Sequence, residues 1–138
     1  RIKGEDDQMA VQTGYTVITN NPLVYEKLKD SHDVIYREVS YEEILKLARD
    51  RIHQGYQLLT HPLSGSVKPN ETPYKSMLLS NARGRMDPAS LRLIENAIQA
   101  CGKFHFRGDQ FQSEVYEDFQ LIDWTLLESG MSSADVWA

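Results

Sequence analysis

QLLTHPLSGSVKPNETPYKSMLLS, residues 57–80, holds two β-prone runs separated by a segment that can be neither a helix nor a central strand. The runs are residues 57–60 and 74–79, and three of the chain's five prolines, Pro62, Pro69 and Pro73, lie between them. With no helix to carry the chain back, the direction of the second run relative to the first stays open, because parallel neighbours need a crossover. Outside this stretch the pattern alternates. Upstream, YTVIT (15–19) reads as a strand that stops at Asn20, Asn21 and Pro22, and Leu23, Val24 and Leu28 start a short helix. A second strand follows over 34–39. Ser40 with Glu43 then makes a capping box that opens a helix ending at Gly55, with Ile44, Leu45, Ala48 and Ile52 on one side. Downstream, Asp87 and Pro88 open a helix with the stripe Leu91, Ile94, Ile98 and Cys101, stopped by Gly102. A last helix over 114–129 carries Val115, Phe119, Ile122 and Leu126 on one face, widened by Leu121, Trp124 and Leu127.

Strands alternating with helices predict an α/β fold: a single-domain, three-layer Rossmann-like sandwich whose small, mainly parallel sheet has about four strands flanked by helices. Residues 1–14 read as a disordered leader, 15–129 as the domain and 130–138 as a C-terminal tail. The length of 138 residues, 41% hydrophobic and 25% charged, fits one such domain with a core of its own. The single Cys101 excludes an intramolecular disulfide framework and points to a reducing compartment. No apolar run approaches the roughly 18 residues of a membrane span, and RIKGEDDQMA lacks the apolar centre of a secretory signal, so a cytoplasmic protein without membrane contact is expected. Nucleic acid is not an expected partner at a net charge of −5.

That charge is uneven. Residues 57–85 carry Lys68, Lys75, Arg83 and Arg85 against Glu71, a balance of +3, while the other eleven bases and nineteen acids leave −8. In open α/β sheets ligands gather beyond the carboxyl ends of strands, and two segments fall there. At the first, Asn20 and Asn21 precede a helix N-terminus. The second is the loop itself, with Thr60, His61, Ser64, Gly65, Ser66, Lys68, Asn70, Thr72, Tyr74 and Lys75. Gly65 between two serines lets backbone amides converge, and the lysines supply charge, as an anion site requires. A catalytic set of His61, Ser64 and Asp118 or Asp123 lacks the G-x-S-x-G setting of a nucleophile elbow. Neither G-x-G-x-x-G nor a P-loop is present. The four histidines include no i, i+4 pair, so no metal is expected, and no cofactor is indicated. Cys101 reads as a small buried hydrophobe, and Asp118 and Asp123 as a solvated helix face.

The strings VITNNPLV (17–24), VSYEEIL (39–45), LLTHPLSGSVKPNETPYKSMLLS (58–80), SLRLIENAI (90–98) and EDFQLID (117–123) resemble the GrdX family over roughly residues 15–127. The resemblance implies a small protein of anaerobic bacteria, encoded near the glycine, sarcosine and betaine reductase systems, and brings no assigned catalytic residues. Joined to the charge pattern, it leads to an accessory protein that binds a small anionic ligand, a carboxylate or phosphate, or a reductase component through the 60–76 loop. The alternative is a small hydrolase or transferase acting on a phosphate ester or acyl group with His61 as acid or base. The wide apolar face of the last helix also offers a homodimer surface.

Overall fold

A computed structural model describes residues 14–62, 72–103 and 113–137. The elements run β1 (Tyr15–Thr19), α1 (Pro22–Leu28), β2 (Val34–Tyr36), α2 (Tyr41–His53), β3 (Ser76–Ser80), α3 (Pro88–Lys103) and α4 (Ser113–Trp137). Among the described residues the sheet has three strands, in the order β2-β1-β3. β1 pairs with β2 in parallel, Val17 opposite Val34, through the crossover helix α1. It pairs with β3 antiparallel, Tyr15 opposite Ser80 and Thr19 opposite Ser76.

The fold is therefore mixed α/β, and the expected four-stranded, mainly parallel Rossmann-like sheet is not formed. Residues 57–60 make only an isolated antiparallel bridge, Leu58 to Leu79, flanked by bonds from Leu59 N–H to the Leu78 carbonyl and from Ser80 N–H to the Gln57 carbonyl. The two β-prone runs are the arms of an open hairpin. Leu58 and Leu79 pair antiparallel, and β3 enters the sheet against the direction of β1, as a sequence too rich in proline for a crossover helix requires.

Helices cover both faces of the sheet. Alternation along β1 and β3 sends Ile18, Met77 and Leu79 to one side, where Ile44, Leu45, Ala48 and Ile52 of α2 and Ile94, Ala97 and Cys101 of α3 complete an apolar core. Tyr15, Val17 and Leu78 point the other way, against Val24 and Leu28 of α1 and Leu127 and Met131 of α4. Each fully buried aliphatic side chain contributes about 1.5–3 kcal/mol. The caps follow the sequence reading. Ser40 Oγ accepts from Glu43 N–H, Asn21 Oδ1 accepts from Leu23 N–H, and Asp87 Oδ2 accepts from the N–H and hydroxyl of Ser90. Gly55 has φ +107°, and a Cβ there would meet the carbonyl of Gly84, so glycine is required twice over.

The last helix departs from expectation in length and in facing. It continues to Trp137, so residues 130–137 of the expected C-terminal tail are helix, and Met131 belongs to the core. Its buried stripe is Asp123, Leu127 and Met131, one residue every turn, while Leu121 and Ile122 stay 55% and 46% exposed. Ile122 was expected on the buried face. The helix is rotated from that expectation because an aspartate, and not the neighbouring isoleucine, faces the sheet. Among the described residues no helix is long and apolar enough to cross a membrane.

Candidate functional site

Polar side chains collect where β1 ends and β3 begins. Thr19 and Ser76, paired across the strands, both face α4, and their hydroxyl oxygens lie 2.6 Å apart. Ser76 donates to Asp123 Oδ2 at 2.6 Å, and Asn21 Nδ2 donates to the same oxygen at 3.0 Å and to the Gln120 carbonyl at 2.9 Å. Thr19 Oγ1 also accepts from the backbone N–H of Asn21. Asp123 is only 7% exposed. Burial pushes its carboxyl above the usual range, and the bonds from Ser76 and Asn21, with the charge of Lys75, act in the opposite direction.

Asn20 works on the backbone. Its Nδ2 donates to the carbonyls of Val39 and Pro73, and its Oδ1 accepts from Lys75 N–H at 2.8 Å. Those three bonds lash the end of the proline-rich segment to the strand β1 and fix where Lys75 starts. Asn20 and Asn21 thus spend both amide hydrogens inside the protein.

Lys75 is 6% exposed, and among the described residues its ammonium has no hydrogen bond or ion pair. Burial draws its pKa below the ordinary lysine range, partly offset by the nearby charge of Asp123. Tyr41, Thr72, Tyr74, Lys75, Ile122, Asp123 and Leu126 line a half-open cleft whose inner volume is about 20 Å³. That inner space suits one polar group of about a water's size, since a water needs roughly 10–15 Å³ by the same measure. At the rim Thr72 Oγ1 accepts from Tyr74 N–H, and the Tyr74 hydroxyl accepts from Gln120 Nε2. Behind it, burial raises the Tyr41 hydroxyl and lifts the Cys101 thiol to about 11, which leaves Cys101 an unreactive core residue, as expected.

Of the predicted site residues, the structure brings together Asn20, Asn21, Thr72, Tyr74 and Lys75. Thr60 stands at the hairpin, accepting from Leu78 N–H at 3.2 Å, and does not line the cleft. His61 is exposed and also outside the lining. Ser64, Gly65, Ser66, Lys68 and Asn70 lie outside the described residues. Asp118 is exposed as expected, whereas Asp123, expected on a solvated face, is buried and already engaged by Ser76 and Asn21. Sequence reasoning weighed Asp123 only as an orienter for His61 and Ser64 and otherwise placed it on a solvated face, and it passed over Tyr41. The one available signal was an acid set between Ile122 and Trp124 in an apolar run. Among the described residues no group of three or more histidines, cysteines, aspartates and glutamates is placed to hold a metal.

Residues 16–132 match the family model described as GrdX-like protein, and the chain belongs to that family. No curated protein and no solved structure matches it.

Proposed function

We propose, with membership of the GrdX-like family as the premise, that the protein is an accessory factor associated with the glycine, sarcosine and betaine reductase system and that it binds a small carboxylate or phosphate at Lys75. The observation that carries the reading is a buried lysine, without a hydrogen bond or ion pair among the described residues, in the wall of a cleft that admits one polar group. A buried ammonium is costly unless paired. An anion entering the cleft supplies that pair, beside the charge of Asp123, whose Oδ2 is already engaged by Ser76 and Asn21.

Anion binding on these terms is linked to a proton. Burial favours the neutral amine and the anion favours the ammonium, so binding draws a proton onto Lys75. The titratable groups around that amine are Asp123 from α4, Tyr41 from α2, Cys101 from α3, and Tyr74. Titration calorimetry with acetate, glycine, acetyl phosphate and inorganic phosphate tests the reading. The expected result is saturable binding of at least one of them, with a heat that depends on buffer ionisation, lost in a folded Lys75→Met variant. Silence with all four ligands, or unchanged binding in Lys75→Met, would remove Lys75 as the anion site.

A further inference from the structure

We infer that Lys75 is a carbonyl-reactive lysine, whose amine in the Asp123-walled cleft forms a Schiff base with small aldehydes or 2-oxo acids. The inference rests on the same cleft as the proposed anion site but asks for a bond to carbon instead of an ion pair. Three features of the site support it. The amine lies in the cleft wall with no hydrogen bond among the described residues to hold its lone pair or its protons. Its surroundings favour the neutral, nucleophilic form. Asp123 lines the same cleft, and its burial favours the protonated carboxyl, an acid beside the atom that must lose water. The inner cleft has room for one small group, which a carbonyl satisfies.

The step balances within these groups. The Lys75 nitrogen attacks the carbonyl carbon, a C–N bond forms, and the carbonyl π electrons move to oxygen, which takes a proton given up by the nitrogen. In the resulting carbinolamine, protonated Asp123 gives its proton to the hydroxyl and water departs as the C=N bond forms. The iminium nitrogen returns a proton to the Asp123 carboxylate, so the net change is amine plus carbonyl giving imine plus water.

Reductive trapping tests this. The full-length protein is incubated with glyoxylate or acetaldehyde and cyanoborohydride near neutral pH, and the adduct is located by peptide mass mapping over time. Lys75 should be modified about tenfold faster than the exposed Lys27 and Lys29, which lie outside the cleft and have no Asp123 beside them. Lys75→Arg, which keeps a cation but cannot form the imine, should lose the fast adduct and retain its circular dichroism spectrum. Asp123→Asn should slow trapping at Lys75 while leaving Lys27 and Lys29 unchanged. Labelling of Lys75 no faster than of Lys27 and Lys29, or no adduct on Lys75, would overturn the inference. Failure here leaves the anion reading intact if calorimetry still shows Lys75-dependent binding. Fast trapping without anion binding would overturn that reading alone.

Discussion

The two faces of the sheet are built by different chemistry from the same two strands. One face is dry: Ile18, Met77 and Leu79 meet the aliphatic stripes of α2 and α3. The other begins the same way with Tyr15, Val17 and Leu78 but ends in Thr19 and Ser76, bonded to an aspartate that α4 turns inward. Strand alternation explains both, since residues two apart share a face, and Thr19 and Ser76 continue the rows of Val17 and Leu78. One register pair is enough to turn a core-facing row polar. Only the side chains at the last register pair differ, together with what the covering helix brings to them.

Substitutions can break this contrast, and the dry face should show the largest effect. Ile44→Ala should cost about 3 kcal/mol, the middle of the range for removing a buried aliphatic side chain, read by urea denaturation. It should leave anion binding at Lys75 in place once the fold is restored by lower temperature. Asp123→Ala should cost about 2 kcal/mol, because the Ser76 hydroxyl and one Asn21 amide hydrogen lose their acceptor inside the protein. Its effect on binding should exceed that of Ile44→Ala.

The wet face should also respond to pH. Burial raises the Asp123 carboxyl in the folded state, so the stability it contributes is complete below the unfolded value of about 3.9 and is lost as pH rises through the folded value. Denaturation of wild type and Asp123→Asn from acid to neutral pH should therefore show the difference moving against wild type as pH increases. A constant difference would mean that Asp123 titrates alike in both states. Ser40→Ala, which removes the cap of α2, should cost about 1 kcal/mol. Smallest of all, Leu121→Ser on the exposed side of α4 should stay within about 0.5 kcal/mol. A greater loss that grows with protein concentration would show that a second copy covers that side.

The dry face is the part that could be read from sequence. Ile44, Leu45, Ala48 and Ile52 repeat at helical spacing, and Ser40 announces the start, so local pattern and tertiary role agree. The wet face resisted because its partners are remote: Asp123 meets Ser76 across 47 residues and Asn21 across 102. A helical repeat assigns an aspartate to solvent unless its donors are known, and that assignment misplaced the stripe of α4 by a fraction of a turn. The direction of β3 was undetermined for a related reason, since a segment rich in proline excludes helix but does not choose a path. Lys75 and Asn20, both singled out from the sequence, meet through the bond from Lys75 N–H to Asn20 Oδ1, in which Asn20 serves as a brace.

The Thr19–Ser76 contact has a directional consequence. Ser76 spends its single hydroxyl hydrogen on Asp123 Oδ2, so the hydrogen between the two hydroxyls must come from Thr19, whose oxygen in turn accepts from Asn21 N–H. Every hydrogen in the row points toward the carboxylate, which gives the wire a polarity. A proton placed on Oδ2 would have to reverse it, with Asn21 Nδ2 also aimed at that oxygen. Protonation is thereby steered away from Oδ2 and toward Oδ1, where a proton can arrive and leave again while the wire stays still.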